Sequence, residues 1–154
     1  VVLAGWRKNV MQRAEVYLLP EGQAVRRGVT VYYFQVRKAK NGELVGRCDL
    51  RAGHNWETDV SGNIGYVIFP EYRGNGYAAQ ACRLLLCQAQ AQGLRRIGIC
   101  CERENIASRK TCERVGAAFR GELTVPENHE LYAAGKRVLM RYELLLSGEE
   151  EDLL

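Results

Sequence analysis

Apolar and polar positions recur along this chain with two different periods, and the switch between them predicts its architecture. At the start, Leu3, Trp6, Val10, Ala14 and Tyr17 stand at helical spacing, which predicts an amphipathic helix over 3–17. From Thr30 to Arg37 the run TVYYFQVR is β-branched and aromatic, the signature of a strand. Lys40-Asn41-Gly42-Glu43 carries an Asn-Gly turn, and Leu44–Leu50 continues as a second strand, so the two form an antiparallel hairpin. The polar stretch 51–62 reads as a loop, and NIGYVIF at 63–69 as a strand stopped by Pro70. The period then changes. Over 77–92, Ala78, Ala81, Cys82, Leu85 and Ala89 line one helical face, with Gly93 as its stop. A strand at 95–101, a helix at 105–115 ended by Gly116, and strands at 117–125 and 138–146 around a loop complete the pattern. A β-meander thus leads into β-α-β-α-β-β, an α+β order expected to form one domain over 1–146 with an acidic tail at 147–154.

Composition narrows the class. The 154 residues are 47% hydrophobic and 26% charged, in the ordinary globular range. No apolar run exceeds four residues, which argues against a membrane helix. The start at Val1-Val2-Leu3 has no basic-then-apolar leader pattern, so a trimmed N-terminus of a cytoplasmic protein is expected. The net charge is +4 although Glu149, Glu150, Glu151 and Asp152 crowd the tail, so the preceding body is more basic still. Such a body suits an anionic ligand; its scattered basic residues, without interleaved aromatics, argue against nucleic acid. Six cysteines form no C-x-x-C and have only His54 and His129 to join them, so no metal site is expected. They read as small buried hydrophobes.

The sharpest local signal lies where strand 63–69 runs through Arg73-Gly74-Asn75-Gly76-Tyr77-Ala78 into a helix. The first amides of a helix lack intrahelical partners, and the helix dipole adds positive character there. Glycines let a phosphate approach the backbone, and Arg73 adds a charged donor. A plain linking turn is one alternative. Another is a dinucleotide fingerprint, since Gly74-Asn75-Gly76-Tyr77-Ala78-Ala79 fits G-x-G-x-x-A and Glu102 ends the next strand where a ribose-binding acid would sit. That reading implies an oxidoreductase, but the fingerprint usually opens a domain, and here an antiparallel hairpin comes first.

With a second motif the turn resembles the GNAT superfamily of acyl-CoA N-acyltransferases. Arg73-x-x-Gly76-x-Ala78 matches that family's cofactor signature, and Asn105-Ile106-Ala107-Ser108 matches its Asn-x-x-Ser helix start. The order of elements from about residue 28 to 146 fits as well, and the branch with ribosomal-protein alanine acetyltransferases looks most similar. The resemblance implies a mixed, mostly antiparallel sheet flanked by helices and splayed at the cofactor strand. It implies acetyl-CoA as donor, its pyrophosphate on the amides from Arg73 through Gly74, Asn75, Gly76 and Tyr77 to Ala78. Val67 and Ile68 would pair with the pantetheine arm, Asn105 would bond it, Ser108 would lie close by and Arg109 would reach a phosphate. An amine of a small molecule or a protein N-terminus would attack the thioester directly, with no nucleic acid or membrane involved; the family often forms homodimers.

Two departures affect the chemistry. Where many members carry a thiolate-protonating Tyr, seven residues after the Asn, this chain has Cys112, so Ser108 and Cys112 are the candidate proton donors. Gln80 stands where many relatives in the branch have Glu. For the general base the candidates are Asp49, Glu57 and His54, with Asp59 behind them. Tyr66, Glu130 and Tyr132 are candidates for shaping the acceptor pocket. The departures also admit a degenerate domain that binds acyl-CoA without catalysis. Gly76→Val is expected to block phosphate approach at modest cost if Gly76 is helical.

Overall fold

The computed structural model describes residues 14–146. In order they form β1 (Val16–Arg26), β2 (Val29–Lys38), β3 (Leu44–Arg51), α1 (Trp56–Ser61), β4 (Ile64–Ile68), α2 (Tyr77–Ala91), β5 (Arg96–Cys101), α3 (Ile106–Arg114), β6 (Ala118–Thr124), α4 (Glu130–Ala133) and β7 (Val138–Leu145). The strands make two antiparallel sheets, ordered β1-β2-β3-β4 and β5-β7-β6. A doubly wound parallel sheet, which the dinucleotide reading needs, is absent among the described residues. No described helix is long and apolar enough to cross a membrane.

The hairpin, β4, α2, β5, α3 and the two last strands stand where the periodicity puts them. The helix expected over 3–17 lies mostly outside the described residues, as does the tail 147–154. The described end of that helix is a correction: Val16 and Tyr17 open β1 and pair with Lys38 and Arg37. Pro20 and Gly22 mask this strand in the sequence. Pro20 is tolerated because β1 is an edge, and the register shifts between Pro20 and Gly22 as at a bulge. The Arg27-Gly28 link to β2 has φ of 50° and 78°, the left-handed pair that a two-residue hairpin loop requires. Two short helices also lie in stretches read as loops. Asn55 caps α1 through a reciprocal pair with Thr58 (Thr58 N–H to Asn55 Oδ1 2.9 Å, Asn55 N–H to Thr58 Oγ1 2.9 Å). His129 caps α4, its Nδ1 accepting from Leu131 N–H at 3.1 Å.

The main core fills the space between the sheets and α2. Phe34, Val36, Val45, Leu50, Ile97, Ile99 and Tyr142 meet Ala81, Cys82, Leu85 and Ala89, so the helical face predicted from spacing is the buried one. A second cluster of Val60, Val125 and Leu139 is joined by partly buried Leu131 of α4.

The sheets touch at one place. Gly62 bridges to Ile99, and beside it Asn63, 1% exposed, makes a complete set of bonds. Its N–H donates to Gly98 O (2.6 Å), its Oδ1 accepts from Gly98 N–H (2.9 Å), and its Nδ2 donates to Arg51 O (3.1 Å) and Gly53 O (2.8 Å). Beyond this stitch β4 and β5 share no ladder, so their facing edges part.

Candidate active site

Two cavities lie along the parted strands, and a third beside β2, β3 and α1. The first sits at the glycine turn, about 220 Å³, lined by Ile68, Arg73, Gly74, Gly76, Ala78, Lys110 and Arg114 among others. Gly74 and Gly76 both have left-handed φ, 83° and 76°. A Cβ built on Gly74 meets nothing within 4 Å, and one on Gly76 only Gln80 Nε2 at 4.0 Å, so the backbone there is open. Gly76 is the N-cap of the 15-residue α2, whose first turn holds no acid. Arg73 is steadied by its Nε donating to Ile68 O at 2.9 Å, and Asn75 closes the turn by donating to Tyr72 O at 2.9 Å. Open amides, a helix N-terminus and three cations make an anion site. Arg109, expected at a phosphate, points elsewhere: its Nε donates to Tyr142 Oη (3.3 Å) and its Nη1 to Arg103 O (3.4 Å). Lys110 and Arg114 line the cavity instead. They are four apart and so share a helix face, a spacing legible in the sequence but overlooked.

The second cavity is the cleft between β4 and β5, about 270 Å³, lined by Gly65, Tyr66, Cys100, Cys101, Asn105 and Ser108 among others. Phe69 N–H donates to Val45 O on β3 (2.9 Å). By strand alternation Val67 turns its peptide groups to β3 as well, leaving those of Tyr66 and Ile68 on the cleft side. The peptide groups turned away from β3 are thus those of Tyr66 and Ile68, the Ile68 carbonyl already accepting from Arg73 Nε, whereas Val67 faces β3 and its side chain is exposed. Tyr66 Oη lies 2.7 Å from Ser108 Oγ. Burial pushes the Tyr66 phenol well above its usual range, so it stays protonated. Asn105 caps α3, its Oδ1 accepting from Ser108 N–H at 3.1 Å. Glu102 pairs with Lys136 at the cleft wall, which leaves it committed rather than waiting for a ribose. Cys112 is fully buried in the core, where Cys101 is its neighbour. The Cys112 thiol, then Ser108 and the charge of Arg109, draw the Cys101 thiol down to about 7 against the pull of burial, while Cys112 is pushed far up.

The third cavity, about 150 Å³, lies on the opposite face of the first sheet, with Tyr33, Asp49, Arg51, Glu57 and Glu130 in its wall. Arg51, Ser61 and Leu131 line both this cavity and the cleft. Its carboxylates are paired: Asp49 with Arg51 (3.1 Å), Glu57 with Arg27 (3.1 Å) and Glu130 with Arg26 (3.0 Å). Burial raises the Asp49 pKa more than Arg51 and then Arg26 lower it. Asp49 is registered against Gly65 on β4, and a Cβ there would stand 2.5 Å from Asp49 Oδ1. Only glycine lets this carboxylate lie across β4 toward the cleft. Buried His129 braces the wall, its Nε2 donating to Glu57 O on α1 at 3.2 Å. His54 and Asp59 are exposed and line none of the three cavities. Tyr132 stacks under the Arg137 guanidinium at 3.6 Å, also outside them. Sequence reasoning missed Gly65, Arg51 and Cys101, since each matters only through what the register and α3 set beside it.

The acetyltransferase (GNAT) domain model matches residues 5–118. Solved structures with a similar fold include the following three. One is the acetyltransferase (GNAT family) from Bacillus anthracis, 26% identical, TM-score 0.58, covering 73% of this chain and 65% of that one. Another is the ribosomal L7/L12 α-N-protein acetyltransferase RimL with coenzyme A, in a coenzyme A–cysteine disulfide, 20% identical, TM-score 0.61, covering 80% and 66%. The third is the microcin C7 self-immunity acetyltransferase MccE with acetyl-CoA and AMP, 18% identical, TM-score 0.59, covering 75% and 61%. The chain thus spans a little under two thirds of the length of these neighbours. No curated protein matches the sequence.

Proposed function

The chain belongs to the GNAT acetyltransferase family, and from that premise we propose that it moves an acetyl group from acetyl-CoA to a primary amine by direct attack. The observation that carries this reading is the open, cation-flanked amide turn at Arg73–Ala78, set along β4 from a cleft with unpaired strand edges. The residues present fit the donor. Amides from Gly74 to Ala78, with Arg73, Lys110 and Arg114, hold its phosphates. The Tyr66 and Ile68 peptide groups and Asn105 align its arm. When bound, acetyl-CoA supplies an acyl group already activated as a thioester.

The remaining work falls to the chain's own side chains. The acceptor amine must lose a proton, and Asp49 is the group placed to take it, directly or through water. Its raised pKa makes it a better base than an exposed carboxylate. The departing sulfur needs a proton, and the Tyr66–Ser108 hydroxyl pair, neutral and in the cleft wall, gives it. Cys112 is fully buried and does not line the cleft. The acceptor enters through the Asp49–Glu57–Glu130 cavity and is a small-molecule amine or a protein N-terminus.

Thermal unfolding with acetyl-CoA, CoA, NAD+ and NADP+ tests the donor without knowledge of the acceptor. A ligand at 100 times its Kd adds about 2.7 kcal/mol, which for a chain of this size is a rise of roughly 5–10 °C. The rise is expected with acetyl-CoA and CoA; its absence with both, or a rise with the nicotinamides alone, refutes the reading.

A further inference from the structure

We propose that the acceptor is a free α-amino acid, its ammonium held by Asp49 Oδ1 and its carboxylate by Arg51 Nη2. This rests on the reading that Asp49 faces the acceptor, and it narrows that reading to one chemical class.

The Asp49–Arg51 pair lies in the wall of the acceptor cavity and is only half used. It closes through Arg51 Nε and Asp49 Oδ2 at 3.1 Å, with both side chains mostly buried. Arg51 Nη1 donates to the Ser61 and Gly62 carbonyls at 3.1 and 2.9 Å. One oxygen and one nitrogen are left over. Asp49 Oδ1 and Arg51 Nη2 hold no hydrogen bond among the described residues. Both face the same space. A Cβ built on Gly65 would stand 2.5 Å from Oδ1 and 2.9 Å from Nη2. The missing side chain thus leaves a notch with an acceptor atom on one side and a donor on the other.

An α-amino acid carries the matching groups on a single carbon. Its ammonium meets Oδ1, and the neighbouring carboxylate meets Nη2 in a charge-assisted bond. A bare cation fits less well, because the Arg51 charge beside Asp49 repels it. The rest of the wall makes the same choice. Glu57 is matched by Arg27 and Glu130 by Arg26, so the wall as a whole is neutral. A zwitterion keeps it neutral. A polyamine, or a protein N-terminus whose own carboxyl is tied up as an amide, would bury an unmatched positive charge there. The reaction also favours release. The N–C bond forms as the thioester C–S bond breaks, Asp49 takes the amine proton, and the Tyr66–Ser108 pair protonates the sulfur. The N-acetyl product keeps its carboxylate but has lost the charge that Asp49 held, so it no longer suits the notch.

The test is the rate of N-acetyl product formation, read by mass spectrometry, with the full chain and acetyl-CoA. The acceptors are the common primary amino acids, each beside its own amide, its decarboxylated amine and a peptide that begins with it. At least one acid is expected to exceed all three counterparts in kcat/KM by roughly tenfold or more, the worth of one hydrogen bond between charged groups. Arg51→Gln should bring the acid-to-amide ratio near one, a ratio that partial unfolding would not change. In Gly65→Ala the Cβ fills the notch and meets only side-chain ends. That variant should keep its rise in Tm with acetyl-CoA while acid turnover falls by about tenfold or more. Counterparts acetylated as fast as every acid, no acid acetylated, or an unchanged ratio in Arg51→Gln would overturn the proposal. If any of these occurs while acetyl-CoA raises Tm, this inference alone fails; if acetyl-CoA does not raise Tm, the donor reading has failed and this inference falls with it.

Discussion

Asp49 shows how much a single side chain owes to its neighbours. In the sequence it is one of several acids near a strand end. In the fold it lies over Gly65, half-committed to Arg51 and buried enough that its charged form is disfavoured. Asp49→Asn should therefore leave Tm unchanged or slightly raised, because the neutral amide avoids the burial cost of the charge. It should lower kcat by roughly 10²-fold or more, the usual contribution of a positioned base. In the unaltered enzyme the rate should fall as pH drops through a value above the ordinary carboxylate range, since protonated Asp49 accepts nothing. A steady-state pH profile of both proteins checks this; equal kcat in the variant would exclude Asp49 as the base. His54 and, behind it, Asp59 are candidates on residue type, but both are exposed and line none of the three cavities. That distinction is invisible in sequence, because it depends on where a twelve-residue polar stretch folds into α1.

At the scale of elements, the turn into α2 was the most legible part of the site, since glycine spacing and helix onset are both local. Its conformation was not. Gly76 has left-handed φ, so Gly76→Val would add strain of roughly 1–3 kcal/mol to any loss of binding. A cleaner probe lies on α3. Lys110→Glu/Arg114→Glu reverses two charges at the anion cavity, and as surface changes they should alter stability by only about 0.5 kcal/mol each. Calorimetric titration should show coenzyme A affinity falling by about tenfold or more, one lost charge-assisted contact being enough for that. Unchanged affinity would move the phosphates elsewhere. Elements with long periodic runs were read from the chain directly; β1, α1 and α4 were not. Pro20 and Gly22 interrupt β1, while α1 and α4 are held by caps from Asn55 and His129 and by packing rather than by pattern.

For the whole molecule, the pattern implied a β-meander leading into β-α-β-α-β-β, but nothing local announced that the strands divide into two sheets or how these join. That task falls to Asn63, a polar residue with every side-chain bond filled inside the core. Asn63→Leu keeps the branched shape and leaves Gly98 N–H and the Arg51 and Gly53 carbonyls unpaired. At roughly 1 kcal/mol or more for each, the loss should be about 3 kcal/mol, a fall in Tm of roughly 6–12 °C by calorimetry. A variant as stable as the parent would mean the sheets are held together by apolar packing alone. Arg51 meanwhile divides its guanidinium between Asp49 in one cavity and the Ser61 and Gly62 carbonyls beside the other. A molecule that drew Arg51 to either side would shift that division, and so would change the free energy of settling on the opposite side. Thermodynamic reciprocity then fixes the exchange: whatever factor the donor applies to acceptor affinity, the acceptor returns to the donor. One shared guanidinium is thus enough to make the two binding equilibria a single linked function.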